Sequence, residues 1–399
     1  MNENNLPHTG LRVLDFGHTV MGPTAGLVLA DLGAEVIRIE PAQGDPTRTL
    51  RGFGTGYFPF YNRNKKSIAI DLKTPRGLNI AKQLIRTADV LVENFGPGTM
   101  ERLGLGYEDL REGAPRLIYL SLKGFLPGPY EPRVALDEVV QMMSGLAYMT
   151  GPPGQPLRTG ASVVDVLGGV MGVVGVQAAL SERERTGKGQ LVTSALFESA
   201  MFLMGQHMAY AALSDEPVPP MPARVSAWAV YDQFDTADGN RVFLGITSDR
   251  HWKRFCKVFD QPTLAGDMTL RTNNDRIAAR PQLMAEVTRI VAALSTAELT
   301  AKATEAKLPF SPVARPEDLF DDPHLNAGGR LLMTKLPGGI ETRLPALPIE
   351  LAGRAPAKRT DPPPTGGDTL EVLRNLGLRE TEIKELLAAG IIASETHNV

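Results

Sequence analysis

Among the carboxylates of this chain, Asp165 has the most unusual surroundings. It lies within Gly160-Ala-Ser-Val-Val-Asp-Val-Leu-Gly-Gly169, with apolar or small residues on both sides. A carboxylate in such company is costly unless hydrogen-bonded, and partial desolvation makes it a better nucleophile. Two roles fit: a helix N-cap that accepts backbone N–H bonds, or a nucleophile for acyl transfer. Other segments offer anion donors. The basic run Arg63-Asn64-Lys65-Lys66-Ser67 just before a strand reads as a solvated turn or a phosphate clamp. Asn94-Phe95-Gly96-Pro97-Gly98 reads as a plain strand-to-helix loop, or as one whose amides approach an anion while Phe95 stacks on a ring. Arg48 and Arg51 are either solvated loop charges or partners for a substrate carboxylate.

Several other chemistries lack their residues. There is no Walker-type loop, no His-Glu-x-x-His and no G-x-S-x-G elbow. The histidines, at 8, 18, 207, 251, 324 and 397, are scattered, so no metal centre is expected. Gly17 and Gly22 fall short of the three-glycine dinucleotide fingerprint, which argues against a nicotinamide cofactor. Cys256, the single cysteine, has Trp252, Phe255 and Phe259 around it at helical spacing and is expected to be buried and inert. A net charge of −3 gives no long-range reason to expect nucleic acid or an anionic membrane as partner. The first ten residues lack the basic-then-apolar order of a signal peptide, and the longest apolar stretch, 163–180, contains Asp165 and Gln177. The expectation is a cytoplasmic protein.

Positioning such groups requires a scaffold, and 399 residues exceed one simple core, so two domains are expected. Residues 11–16, 35–39, 67–71, 90–93 and 115–122 read as strands, with helices at 24–32, 76–88 and near 107–112. This alternation predicts an α/β fold built on a doubly wound parallel sheet. Residues 139–149, 163–180 and 192–212 read as apolar helices. Glycine inside a helix costs roughly 1 kcal/mol relative to alanine, so Gly168, Gly169, Gly172 and Gly175 imply a closely packed neighbour. The expected organisation is a large domain over 1–213, a proline-rich linker over 214–226 and a smaller α+β domain over 227–313. A return segment with C-terminal helices, 314–399, then rejoins the large domain. Within the small domain, strands at 229–234 and 241–246 flank an Asp238-Gly239-Asn240 turn.

The order of several segments resembles the class III CoA-transferase family, which includes formyl-CoA:oxalate transferase and carnitine CoA-transferase relatives. They are Leu11-Arg-Val-Leu-Asp-Phe16, Gly22-Pro23, Leu32-Gly-Ala-Glu-Val-Ile-Arg-Ile-Glu40, Gly44-Asp45 and Asn62-Arg-Asn-Lys-Lys-Ser-Ile68. Asp71-Leu-Lys73, Glu93-Asn-Phe-Gly-Pro-Gly98, Arg185-Thr-Gly-Lys-Gly-Gln190 and Leu373-Arg-Asn-Leu-Gly-Leu378 complete the set. The resemblance implies a Rossmann-like large domain made from both chain ends, and two chains interlocked as a homodimer. It implies Asp165 as the catalytic residue. It further implies CoA contacts from Ile70, Asp71, Leu72, Lys73, Asn94, Phe95, Arg102 and Leu103, with His18 and Thr19 near the pantetheine arm. Asp137 matches an acidic residue near the nucleophile. The substrates would be an acyl-CoA and a carboxylic acid, with no tightly bound cofactor.

Two departures bear on substrate. Val20 replaces a glutamine of formyl-CoA transferase, and residues 214–249 lack its run of four glycines, so formyl and oxalyl transfer lose support. Leu136-Asp137 stands where the related α-methylacyl-CoA racemases carry His-Asp, which removes one of the two acid–base groups racemisation needs. The expected reaction is CoA transfer to a dicarboxylate, with succinyl-CoA as donor. A racemase-type enzyme, a CoA-ester isomerase, a non-catalytic CoA-binding module and a dehydrogenase are the alternatives.

Overall fold

The short aliphatic runs near the chain start pair side by side. In the computed structural model, which describes residues 6–224, 226–353 and 355–395, six strands run parallel. They are β1 (Arg12–Asp15), β2 (Glu35–Glu40), β3 (Lys65–Ile70), β4 (Val90–Glu93), β5 (Ile118–Lys123) and β6 (Leu191–Ala195). Their spatial order is β3-β2-β1-β4-β5-β6, and Ile392–Ala393 adds an antiparallel edge beside β3. Val13 of β1 lies opposite both Val36 and Val90, so β1 is the centre from which the order reverses. In such sheets ligands gather beyond the carboxyl ends of the strands at that reversal.

Helices cover both faces, and the apolar strand residues on each are buried beneath them. One face buries Ile37, Ile68 and Leu91 under α2 (Pro75–Ile85) and two helices from the C-terminal end, Thr369–Asn375 and Glu380–Ala388. The other buries Val36, Val90 and Leu120 under α1 (Met21–Asp31), α5 (Val163–Thr186) and α6 (Leu196–Leu213). Between α2 and α5 come α3 (Asp137–Met143) and α4 (Leu146–Thr150). α5 is long and apolar enough to cross a membrane by length and composition. In the fold it packs against α1, β5 and β6.

The glycines of α5 have the close neighbours their cost implied. A Cβ on Gly169 would sit 2.6 Å from the Met21 carbonyl oxygen, one on Gly168 2.5 Å from Met21 Cε, and one on Gly175 2.6 Å from Val192. Several local expectations need correction. The single helix over 139–149 is two, because Gly145 takes φ +83°. Leu191–Ala195, read in part as helix, is the strand β6, whose β-branched residues pair with β5. A hairpin of Leu331–Lys335 and Glu341–Pro345 was not anticipated.

The basic run at 63–67 is neither solvated turn nor phosphate clamp. Arg63 is buried against Asp31, and Lys65 donates to Asp15 at 2.7 Å and to the Pro23 carbonyl. Lys66 pairs with Glu35 and Glu371. These cations tie α1 and the sheet together internally. Arg63 and Lys65 cannot serve a ligand without leaving a buried carboxylate alone, which is expensive.

The contacts divide the chain into two units, Met1–Pro222 with Asn326–Val399, and Ala223–Leu325. The second has a three-stranded antiparallel sheet of Val230–Asp235, Arg241–Ile246 and Phe310–Pro312, with its own core. Cys256 lies in that core, and burial pushes its thiol up to about 11, so it stays protonated and unreactive at neutral pH.

Candidate active site

Asp165 occupies the first turn of α5, and the helix head is capped from outside its own segment. The buried Asp137 carboxylate accepts from Val164 N at 2.9 Å and Asp165 N at 3.0 Å through one oxygen. Its other oxygen accepts from Gln141 Nε2 at 2.6 Å. Gln141 Oε1 in turn accepts from Thr159 N and Oγ1, which fixes the approach to α5. Asp137 therefore does the capping, and Asp165 is left free of it. The Asp137 oxygens thus face the backbone amides at the head of α5 and the Gln141 amide.

Asp165 is half-buried. Burial is the larger cause that pushes its carboxyl up to about 7, the Asp137 charge adds to it, and the Arg158 guanidinium pulls the other way. A helix N-terminus favours a nearby negative charge by about 0.3–1 kcal/mol, too little to outweigh that burial. Near neutral pH the group is divided between acid and carboxylate. The ionised fraction is poorly solvated and unusually basic for a carboxylate, a combination that suits nucleophilic attack on a thioester.

Two neighbours of Asp165 were missed by sequence reasoning. Tyr61 is half-buried, and its hydroxyl is pushed up to about 12 first by burial and then by the Asp165 charge. Arg158 lies on the segment leading into α5, with Nη2 3.8 Å from Asp137 Oδ1. The signal for Tyr61 was its position beside the Asn62-Arg-Asn motif. That for Arg158 was an isolated cation in the stretch that enters an apolar helix.

The remaining site residues collect at the carboxyl ends of β1, β3 and β4. A cavity of about 420 Å³ is lined by Ile70, Asp71, Leu72, Lys73, Phe95, Arg102 and Leu103, together with Phe16 and the Ile39–Gln43 stretch. Lys73 and Arg102 are exposed at its edge, and Ile70 is buried. Largely apolar walls with two exposed cations suit a flat ring joined to phosphates. Asn94 sits apart from these lining residues. Its Oδ1 accepts from His18 N at 2.8 Å and its Nδ2 donates to His18 O at 3.0 Å, a clasp between the β1 and β4 loops.

His18 packs its ring 5.3 Å from that of Phe95, and desolvation lowers its pKa, which disfavours the charged imidazolium. Thr19 takes φ +63°, a left-handed conformation costly for a β-branched residue, and its hydroxyl meets His18 Nδ1 at 3.0 Å. Arg48, considered for a substrate carboxylate, is committed to Glu40 at 2.6 Å and stacks on Phe58. Arg51 is exposed. Among the described residues no group of three or more histidine, cysteine or acidic side chains could hold a metal ion.

This arrangement has close counterparts. The profile of CoA-transferase family III matches residues 9–369. Succinyl-CoA:glutarate CoA-transferase of Mus musculus is 33% identical over 97% of this chain and 90% of the mouse protein. Succinyl-CoA:mesaconate CoA-transferase of Haloarcula hispanica is 34% identical over 91% of this chain and 92% of its own. The crystal structure of a CAIB/BAIF family protein from Brucella suis superposes with a TM-score of 0.82 at 30% identity, covering 93% of this chain and all of that one. With the family profile matching residues 9–369 and relatives aligned along almost its whole length, the chain belongs to CoA-transferase family III and is a CoA-transferase.

Proposed function

We propose that this enzyme moves CoA from succinyl-CoA to a second dicarboxylic acid through a covalent intermediate on Asp165. The observation that carries the reading is the half-buried Asp165 carboxylate, pushed up to about 7 at the head of α5. The names of the mouse and archaeal relatives, which pair succinyl-CoA with glutarate and with mesaconate, support the substrate class. The carboxylate of Asp165 attacks the thioester carbonyl of the donor, the carbon–sulfur bond breaks, and CoA leaves as thiolate. The product is a mixed anhydride. The thiolate then attacks the Asp165 carbonyl carbon, which releases the donor acid as its carboxylate and leaves an aspartyl-CoA thioester. The acceptor carboxylate attacks this thioester, expelling CoA thiolate and forming a second anhydride. Return of the thiolate to the acceptor carbonyl frees Asp165. Thioester and anhydride are exchanged at each step, so no external energy source is consumed.

CoA itself would occupy the cavity between Ile70–Lys73 and Phe95–Leu103, with Lys73 and Arg102 meeting phosphates. His18 and Thr19 would border the pantetheine arm as it passes toward α5. The chain is further proposed to work as a homodimer. Large apolar side chains stand exposed on α6, with Phe202 75% and Leu213 89% accessible, an arrangement that suits a second copy.

The covalent step is tested by incubating the enzyme with succinyl-CoA, without acceptor, and weighing the intact protein and its peptides. A CoA adduct on the peptide containing Asp165 is expected, absent from Asp165→Asn. An active Asp165→Asn enzyme would sink the proposal.

A further inference from the structure

A guanidinium carries five N–H donors, and buried donors almost always find partners. Arg158 breaks this rule beside the nucleophile. Its Nε and Nη2 are both inaccessible to solvent, and neither meets a hydrogen-bond partner among the described residues. The nearest carboxylate oxygen, Asp137 Oδ1, is 3.8 Å from Nη2, beyond hydrogen-bond reach, and already accepts from Gln141. The neighbouring Asp137 oxygen is filled by the two amides of α5. Arg38 Nε and Nη1, Arg63 Nη1 and Arg183 Nε are also buried without partners among the described residues, but those guanidiniums are each anchored by a hydrogen bond through another nitrogen, to Asp45, Asp31 and the Arg116 carbonyl.

The chemistry of the donor identifies what fits. An acyl-CoA approaching Asp165 presents a neutral thioester carbonyl, so its only anionic acyl group is a carboxylate at the far end. That carboxylate enters a place where Asp137 and the ionised, attacking form of Asp165 supply negative charge, and like charges this close repel strongly. A cation with unfilled donors beside both aspartates offsets the repulsion and pairs with a carboxylate in bidentate fashion. We propose that Arg158 is the specificity-determining residue that holds the non-reacting carboxylate of a dicarboxylyl group while Asp165 attacks the other end. This rests on the reading of Asp165 as the nucleophile. It adds that the enzyme selects diacids through one side chain.

The test compares two donors of equal chain length, succinyl-CoA and butyryl-CoA, which differ in the terminal carboxylate. The rate of adduct formation on Asp165 is measured over a range of donor concentrations, in wild type, Arg158→Gln and Arg158→Lys. Wild type is expected to favour succinyl-CoA by about tenfold or more, as removal of a partner from a buried charged pair is costly. Arg158→Gln should erase most of that preference by slowing succinyl-CoA alone, and Arg158→Lys should restore part of it. A merely structural role, or one in stabilising the reacting oxygen, would slow both donors together, and that result overturns the inference. So would an unchanged preference in Arg158→Gln, or the absence of any preference in wild type. If wild type forms no adduct with either donor, the nucleophile assignment fails and this inference falls with it. A normal adduct with unaltered selectivity removes Arg158 alone.

Discussion

At the scale of the residue, function turns on a carboxyl group that titrates near neutrality. Because burial and Asp137 raise Asp165 to about 7, its ionised form is lost as pH falls through that value. The kcat/KM for the acyl-CoA is expected to drop about tenfold per pH unit on the acid side of about 7. Asp137→Asn removes the like charge but keeps an oxygen for the α5 amides. Its acid limb should shift to lower pH yet stay above the ordinary carboxylate range, since burial is the larger cause. A pH–rate profile of both proteins measures this.

The same shift has a stability consequence with a definite sign. A carboxyl raised in the folded state binds its proton more tightly there than in the unfolded chain. Its contribution is full below about pH 4 and is lost as pH rises through about 7. Asp165→Asn should therefore be the more stable protein at pH 8, by on the order of 1–2 kcal/mol after allowance for partial solvent screening. The difference should shrink toward zero near pH 4, as read from urea unfolding at the two pH values. The sequence singled out Asp165 by its apolar neighbours but left it balanced between cap and nucleophile. Only the fold reveals that Asp137, 28 residues earlier, takes the capping role. Arg158 and Tyr61 were passed over for a related reason: side chains from distant segments converge, and the weak local signals at each residue do not say on what.

At the scale of the element, α5 is positioned by what it lacks. Gly169 lets the helix touch the backbone at the start of α1, which fixes the spacing of the two helices one turn beyond the nucleophile. Gly169→Ala gains helix propensity of about 1 kcal/mol, but its Cβ would collide with the Met21 carbonyl and with Thr24. Overpacking of this kind costs about 1–3 kcal/mol. The variant is expected to melt at a lower temperature and to lose more activity than stability, as a thermal melt and a rate assay together would reveal. The glycine series was legible as a request for a close neighbour; which neighbour was not. Errors in element type fell where local and tertiary preferences compete. Val192 and Thr193 continue an apolar run that reads as helix, yet β5 recruits them into the sheet.

At the scale of the whole molecule, alternating strand and helix patterns were enough to anticipate the parallel sheet, because a helical crossover returns the chain to start the next strand in the same direction. The hairpin of Leu331–Lys335 with Glu341–Pro345 escaped because its pairing is short and its residues are partly exposed. The exposed apolar side chains of α6 lead to a prediction about assembly. The enzyme should sediment at twice the 43.1 kDa chain mass, with no monomer on dilution to nanomolar concentration, as analytical ultracentrifugation would measure.

The contrast between the two sides of Asp165 bears on how this enzyme can change. Below it, Gly168 and Gly169 rest on Met21 without space for another methyl group. Beside it, Pro152 to Leu157 lie open to solvent and lead directly to Arg158. Inherited variation that reshapes the acid preference has room on that outer stretch and almost none on the floor. New acid preferences would thus be written in a short surface loop, where added bulk meets solvent, and not at the crowded floor beneath the reactive group.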